Sequence, residues 1–197
     1  MGIVLSCQNL SRSFDARPLF EEVTFAIHEG DRVGLIGANG SGKSTLMRLM
    51  ADLDTPDEGE RATASGLRTT YLQQQDVFAA EDTAYSVLLK AATEALPQRD
   101  EHEHEVSVQQ MLHRLDFDGP GPAQDALVST FSGGWRKRLS IGRALITEAD
   151  LLLMDEPTNH LDLEGIWWLE DTLANLRSTF VMISHDRSML ELSLIHI

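Results

Sequence analysis

The sequence predicts an α/β fold with a mainly parallel sheet. Short apolar runs that end in glycine or acidic residues are typical of buried strands, and they alternate with segments that carry apolar residues at helical spacing. Alternation of this kind implies right-handed crossovers between parallel strands. At 197 residues, of which 42% are hydrophobic, the chain is long enough for one sizeable domain, or for one domain with a small subdomain.

Strands are predicted towards both ends of the chain, as short runs rich in aliphatic and β-branched residues. The turn PDEG separates the first helix from the strand that follows it. In order along the chain, the predicted strands are IVLSCQNL, VTFAIHEG, DRVGLIG, RTTYLQQ, LLLMDE and TFVMISHD.

Helices are predicted between these strands, and two of them form an insert. The insert begins near Thr83, where the pattern changes, and Pro97 ends its first helix. We therefore predict an α/β core from residues 1–80 and 139–197, with a helical subdomain at 81–138. The predicted helices are KSTLMRLMADL, TAYSVLLKAATEAL, VSVQQMLHRL, LSIGRALI and LEGIWWLEDTLANL.

The last predicted helix contains two adjacent tryptophans, Trp167 and Trp168. Its apolar stripe runs through other positions, so we expect one tryptophan to pack beside the core and the other to be available to a partner.

The insert contains EHEHE at residues 101–105, where two histidines among three glutamates suggest a metal site. Residues two apart on a helix point to nearly opposite faces, so these side chains could not converge on one ion. We expect a solvated acidic loop after Pro97 instead.

The composition excludes several classes of protein. The net charge of −15 makes it unfavourable for the chain to bind nucleic acid by itself, because contacts to phosphates require Lys and Arg. The single cysteine, Cys7, indicates a reduced, cytosolic protein. The sequence has no apolar run long enough to span a membrane, and its first residues do not form a signal peptide.

The segment GANGSGKST matches the pattern G-x-x-x-x-G-K-[ST] between a predicted strand and a predicted helix. Its glycines allow successive N–H groups to curl around a phosphate, Lys43 adds positive charge and Ser44 offers a hydroxyl to Mg²⁺. The predicted nucleotide-binding residues of this loop are Gly37, Asn39, Gly40, Ser41, Gly42, Lys43, Ser44 and Thr45.

Acidic residues follow the buried strand LLLMDE, at the carboxyl end of the strand, where ligands bind in open α/β sheets. Asp155 is placed to hold Mg²⁺, directly or through water, and Glu156 to polarise the attacking water. His185 ends another apolar strand. It either has a structural role or contacts the γ-phosphate and orients the water.

A second phosphate-facing segment is FSGGWRKR. Ser132, Gly133 and Gly134 precede a basic run compatible with a helix, and small residues at a helix N-terminus let an anion approach free N–H groups. The chain therefore has two segments suited to phosphate, about a hundred residues apart.

The ordered set of GANGSGKST, YLQQ, FSGGWRKR, LLLMDEPTNHLD and SHDR resembles that of ABC-type ATPases, from residue 1 to about 190. The resemblance implies a P-loop NTPase cassette with a parallel core sheet, an N-terminal antiparallel β part and an inserted helical subdomain. It also implies that the cassette binds and hydrolyses ATP with Mg²⁺.

For the nucleotide site, the resemblance implies that Phe14 stacks on adenine and that His185 is the switch histidine. It implies that Gln74 is the Q-loop glutamine, although Gln73 or Gln75 remains possible because three glutamines adjoin. The implied catalytic residues are Glu156, His185 and Gln74, and the implied Mg²⁺ ligands are Ser44, Gln74 and Asp155.

For the second segment, Ser132, Gly133 and Gly134 look like the signature motif, and Leu161 and Asp162 look like the D-loop. In this family the signature faces ATP held by the P-loop of another cassette, so two cassettes pair head to tail. The expected partner is therefore a second cassette, on the same full-length chain or in a homodimer.

The segments DEPTNHLD, FSGGW and SHDRSML resemble the ABC-F subfamily, and within it the bacterial Uup-type branch. Such proteins are soluble, carry two cassettes on one chain and act on ribosomes, and Uup-type members are also linked to DNA. The terminal ELSLIHI does not resemble the family, which predicts a truncated N-terminal cassette, and the short insert argues against a long ribosome-contacting arm.

Two alternatives follow from the same motifs. One is the nucleotide-binding subunit of a membrane transporter, against which NHLD and Trp135 weigh. The other is a non-catalytic ATP switch, against which Glu156 and His185 weigh.

Overall fold

The chain forms two compact units. The structure, a computed structural model, describes residues 2–14, 17–75, 77–119 and 121–184. The first unit comprises the chain up to Tyr71, Ala149–Glu156 and the chain from Asn175; the second comprises Leu72–Glu148 and Pro157–Ala174.

Helices and strands alternate from α4 to β7, as predicted, whereas three successive strands precede α1. In order, the strands are β1 (Ile3–Phe14), β2 (Arg17–His28), β3 (Arg32–Leu35), β4 (Glu58–Thr63), β5 (Thr69–Leu72), β6 (Leu151–Asp155) and β7 (Thr179–Ile183). The helices are α1 (Lys43–Met50), α2 (Ala84–Ala95), α3 (Glu101–Arg114), α4 (Gly133–Leu145) and α5 (Leu163–Ala174).

An antiparallel sheet with the order β2-β1-β4 forms the N-terminal β part that the resemblance implies. The sequence did not predict β4. Its segment EGERAT contains no buried residue, so no apolar alternation marks it as a strand.

The second sheet has the order β3-β7-β6-β5, and β7 is parallel to both of its neighbours. Every residue of β6 and β7 is buried, which explains their continuous apolar sequences. Leu35 and Asp155 both pair with Ile183, so the carboxyl ends of β3, β6 and β7 lie at one edge of the sheet. The predicted α/β fold class is confirmed.

Cys7 of β1 is completely buried in the core of the first unit. Burial raises the pKa of its thiol to about 11. Cys7 belongs to a hydrophobic cluster whose other buried members are Val4, Leu5, Leu10, Ile27, Val33, Leu35, Leu46, Met47, Leu49, Met50, Leu151, Leu153, Val181 and Ile183.

The second unit is built on α2, α3 and α4, with α2 packed against both of the others. Thr83 caps α2 in a reciprocal capping box with Ser86, which fixes where the helix starts. The main hydrophobic cluster of this unit contains the buried residues Ala84, Val87, Leu88, Ala92, Val108, Leu112, Leu115, Phe117, Val128, Phe131, Leu139 and Ile146.

The prediction of a loop at EHEHE is wrong, because α3 begins at Glu101. Asp100 caps the helix and Glu103 completes a capping box, a signal that the sequence carries and that the prediction missed. His104 is 5% exposed rather than solvated. In the described part of the chain, no group of three or more His, Cys, Asp or Glu side chains is arranged to hold a metal ion.

The two tryptophans of α5 have different environments. Trp168 packs against the core of the second unit, and its Nε1 donates to the carbonyl of Arg114 at 3.0 Å. Trp167 is 64% exposed. Packing of one tryptophan is thus confirmed, and contact of the other with a partner stays a prediction.

The two units divide the chain at residues other than the predicted boundaries. Both α4 and α5 fall within the second unit, whereas the predicted helical subdomain ends at residue 138. The predicted domain division stays a prediction. In the described ranges, no helix combines the length and the apolar character that crossing a membrane requires.

The pairing of β1 with β4 contains a β-bulge, and Gly59 of β4 lies directly against the backbone of β1 there. Asn9 has a φ of 51° and Gly59 a φ of 87°, and the strand register shifts between Gln8 and Ser11. A Cβ atom on Gly59 would overlap the backbone carbonyl of Asn9. Glycine is therefore required there for both its conformation and its size.

We expect Gly59→Ala to lower the free energy of unfolding by about 3 kcal/mol or more, because backbone strain and a backbone overlap act together. Gly66→Ala is the control. Gly66 has a similar φ of 75° but no atom near an added Cβ, so its cost should be about 1–2 kcal/mol. Urea denaturation measures both, and equal losses would contradict the packing argument.

Candidate functional site

The loop between β3 and α1 has the backbone of a phosphate cradle. Gly40 and Gly42 have φ values of 77° and 90°, conformations that side chains rarely adopt. An added Cβ on Gly37 would come within 2.9 Å of the Ser41 Oγ. The backbone conformation therefore favours glycine at Gly40 and Gly42, whereas a side chain at Gly37 would require the Ser41 hydroxyl to move.

Lys43 folds back over this loop from the first residue of α1. Its Nζ donates to the carbonyls of Gly37 and Ala38, both at 2.9 Å. These acceptors are neutral, whereas a phosphate oxygen would form a charge-assisted hydrogen bond. The ammonium is thus held at the mouth of the cradle, where an anion could replace its present partners. Ser44 follows it as an exposed residue of α1, Thr45 is half-buried, and Asn39 is an exposed residue of the loop.

Asp155 is the last residue of β6 and is only 2% exposed. Its Oδ2 accepts a hydrogen bond from the hydroxyl of Tyr71 at 3.1 Å. Its Oδ1 is buried without a hydrogen-bond partner among the described residues. A carboxylate oxygen left bare in the interior is costly, and a divalent cation or its bound water would satisfy it. Asp155 therefore fits the predicted role as a Mg²⁺ ligand.

Tyr71 is a residue of the site that sequence reasoning missed. Burial, and then the charge of Asp155, raises the pKa of its phenol, so the hydroxyl keeps its proton and donates. The only signal in the sequence was an aromatic residue in the strand RTTYLQQ. Nothing in that segment showed that β5 lies beside β6 and brings the phenol to the carboxylate.

Glu156 turns the chain out of the sheet directly after β6. Its φ of 49° is in the left-handed region, and its N–H donates to the carbonyl of Ile183 at 3.0 Å. Left-handed backbone in a residue other than glycine is unfavourable and is often found at functional sites. The half-buried Glu156 thus leaves the same sheet edge as Asp155.

Two further predicted residues lie near ends of strands. Phe14 ends β1 and is 69% exposed, so its ring is open to a ligand. His185 lies outside the described residues, which stop at the buried Ser184 after β7.

In the second unit, Ser132 caps the N-terminus of α4, and its Oγ accepts from the N–H of Trp135 at 3.4 Å. His160 lies beside the two signature glycines. A Cβ on Gly134 would come within 3.2 Å of the His160 carbonyl, and one on Gly133 within 3.5 Å of the His160 Cβ. The three signature residues thus lie at the N-terminus of α4, and their contact with an anion stays a prediction.

The predicted D-loop lies just before α5 in the same unit. Asp162 accepts from the N–H of Gly165 through Oδ1 at 2.8 Å, and its carbonyl accepts from Ile166. Signature and D-loop residues line one cavity of about 200 Å³. Its lining is Asp116, Ser132, Gly134, Trp135, Arg138, Leu161, Asp162, Glu164 and Gly165.

The three adjacent glutamines follow β5 and are all exposed. Gln74 and Gln75 line a cleft of about 540 Å³ with Gly133, Arg136, Asn159 and His160. Gln73 is not among the lining residues. The choice of Gln74 as the Q-loop residue stays a prediction.

Comparison with known proteins identifies the family. The sequence profile of the ABC transporter family matches residues 20–159, which include the phosphate cradle, the signature and Asp155. The chain belongs to the ABC transporter family. It is an ATPase cassette of that family, as its motifs predicted.

Relatives agree with the predicted subfamily. The chain is 32% identical to the ATP-binding protein Uup of Buchnera aphidicola, over 95% of this chain and 31% of that protein. It is 30% identical to ABC transporter F family member 5 of Arabidopsis thaliana, over 93% of this chain and 32% of that protein. The predicted resemblance to ABC-F cassettes is confirmed. The chain spans about a third of the length of the curated relatives it matches.

Solved structures show the same fold. A dimeric post-hydrolysis state of an ATP-binding cassette bound to ADP and Pi matches with a TM-score of 0.82 at 21% identity. The match covers 98% of this chain and 94% of that one.

We expect Tyr71→Phe to weaken divalent cation binding by about two- to tenfold, because Asp155 loses a hydrogen bond worth about 0.5–1.5 kcal/mol. The measurement is Mn²⁺ binding in the presence of ATP, followed by electron paramagnetic resonance.

Tyr85→Phe is the matched control, since Tyr85 is the only other tyrosine and lies on α2 in the second unit. It should bind Mn²⁺ like the parent. ATP affinity without a metal should be the same in all three proteins. Parental Mn²⁺ affinity in Tyr71→Phe would show that the phenol does not position Asp155.

Proposed function

We propose that this cassette binds MgATP, pairs head to tail with a second cassette and hydrolyses ATP. Asp155 carries the proposal, because its buried Oδ1, which has no hydrogen-bond partner in the described part of the chain, lies at the sheet edge from which the phosphate cradle also leaves. When bound, Mg²⁺ would neutralise charge on the phosphates, with Ser44, Asp155 and Gln74 as its proposed ligands.

In this proposal each residue of the nucleotide site has a distinct task. Lys43 exchanges its loop carbonyls for the β- and γ-phosphates, and the exposed ring of Phe14 stacks on adenine. Glu156 polarises the attacking water. His185 is the proposed switch histidine that orients the same water.

The need for a second cassette follows from the two phosphate-facing segments. The chain contains one phosphate cradle and one signature, and we propose that each completes a site with its counterpart on the partner. Ser132, Gly133 and Gly134 would then donate to the γ-phosphate of the partner's ATP, with Leu161 and Asp162 beside them.

The whole protein is proposed to be a cytoplasmic ABC-F protein that acts on ribosomes during translation. The likeness to Uup and to an F family member supports this proposal. A link to DNA, as in Uup-type proteins, is the second candidate. With a net charge of −15, the cassette would reach either nucleic acid through a local basic face or through a further segment.

We expect Glu156→Gln to retain ATP binding and to lose turnover by about 10²–10⁴-fold, the usual contribution of a general base. Turnover is measured by phosphate release, and affinity by titration. Lys43→Ala is the contrasting variant, since it should lose affinity by about ten- to a hundredfold. Hydrolysis at the parental rate by Glu156→Gln would exclude Glu156 as the base.

The same variant tests the cellular target. Glu156→Gln should accumulate the ATP-bound pair, so it should sediment with ribosomes in the presence of ATP more than the parent does. Stable association with a membrane subunit instead would favour a transporter.

The shared site makes activity depend on protein concentration. We expect the ATPase rate per chain to rise with concentration, and to rise with moderate salt, because two chains of −15 repel each other and the screening length is about 10 Å at 0.1 M.

Ser132→Arg should abolish this activity while ATP affinity stays within about threefold of the parent, since Ser132 serves the partner's nucleotide. A mixture of Ser132→Arg with Lys43→Ala should recover part of the activity, because such a pair keeps one intact site. A rate per chain that stays flat over a hundredfold dilution would contradict the shared site.

A further inference from the structure

Lys137 is a lysine with no exposed surface, and it is among the largest of the fully buried side chains in the described residues. It lies on α4, five positions after Ser132 at the helix N-terminus. Burying an ammonium group costs several kcal/mol unless hydrogen bonds compensate it. A lysine at this position therefore calls for an explanation that packing alone does not give.

One of its contacts supplies that explanation. The Nζ of Lys137 donates to the backbone carbonyl of Gln74 at 3.0 Å. The two residues are 63 positions apart and belong to the same unit. The buried lysine thus ties the segment after β5 to α4, while the side chain of Gln74 stays exposed to the cleft.

At the other end of this link, side-chain contacts of Arg138 connect α4 to neighbouring segments of the same unit. The guanidinium of Arg138 lies 4.9 Å from the ring centroid of Trp135 and 5.2 Å from that of Trp168. Its Nη1 pairs with the Oδ2 of Asp116 at 2.7 Å. A displacement passed to α4 would therefore move the N-terminus of the helix with the rest of it, rather than bend one turn.

We propose that Lys137 is a positioning residue that couples Gln74 to the signature helix. When Gln74 shifts towards a bound nucleotide, its carbonyl pulls the Lys137 ammonium with it through their hydrogen bond. Because Lys137 is part of α4, the signature residues Ser132, Gly133 and Gly134 move with the helix. The state of a cassette's own nucleotide site thereby reaches the surface that it presents to its partner. This inference rests on the proposed function, because it takes Gln74 to be the residue that responds to nucleotide.

The test compares two substitutions of Lys137 with a matched control. Lys137→Met keeps the length and the apolar stem but removes the donor, and replacing a buried charge by an apolar group is often tolerated. Lys137→Gln keeps an N–H donor on a shorter side chain. Lys90→Met makes the same change of charge at an exposed position of α2 in the same unit.

The main measurement is hydrogen exchange of two segments, residues 72–75 and 132–137, with and without the nonhydrolysable analogue AMP-PNP and Mg²⁺. In the parent and in Lys90→Met, nucleotide should slow exchange in both segments. In Lys137→Met it should slow exchange at 72–75 and leave 132–137 unchanged. Lys137→Gln should recover part of the response, which a role in packing alone does not predict.

Kinetics provide the second measurement. We expect Lys137→Met to lower kcat by about ten- to a hundredfold, the value of a lost charged hydrogen bond, with KM for ATP within about threefold of the parent. Should this variant not fold, as judged by thermal melting, Lys137→Gln decides. A weakened response of 132–137 beside a parental response of 72–75 would support the coupling, and a parental response in both segments would overturn it.

Three results would overturn the inference. In the first, nucleotide slows hydrogen exchange of residues 132–137 in Lys137→Met as much as in the parent. In the second, Lys90→Met loses this slowing as completely as Lys137→Met does. In the third, nucleotide does not change the exchange of residues 132–137 even in the parent. None of these results affects the proposed function, which fails separately if Lys43→Ala binds ATP as tightly as the parent.

Discussion

The pairing of β3 and β6 with the same strand is the constraint on which the nucleotide site depends. Leu35 and Asp155 both lie opposite Ile183, so the phosphate cradle and the acidic residues leave the sheet at one edge. A slip of one residue would turn every side chain of a strand to the other face. Because β6 and β7 are buried along their whole length, such a slip would also disturb the core, and the core thus fixes the register.

The sequence predicted those parts of the molecule that a local pattern determines. The cradle, β6 and the start of the signature helix each depend on a few adjacent residues, so their motifs sufficed. The sequence did not predict β4, because its residues are exposed and show no apolar alternation. It did not predict the start of α3, because the acidic residues of EHEHE were interpreted as a solvated loop although Asp100 begins a capping box. Tyr71 and Lys137 could not be recognised, since each acts on a residue more than sixty positions away.

Both of these residues follow the same physical logic. A buried polar group must find a partner, and the partner is then held in a narrow range of positions. Tyr71 donates to one oxygen of Asp155, and the other oxygen has no hydrogen-bond partner among the described residues. Lys137 donates to the backbone carbonyl of Gln74, whose side chain stays exposed. In each case a buried polar group beside a predicted site residue restricts the positions that this residue can take.

The burial of Cys7 makes the chain easy to study by spectroscopy. It is the only cysteine, it has no exposed surface, and burial raises the pKa of its thiol to about 11, so little reactive thiolate exists near neutral pH. Maleimide reagents should leave it unmodified in the folded protein. A cysteine placed on the exposed Trp167 position of α5 would then accept a fluorophore or a spin label at one known point, without removal of the native residue.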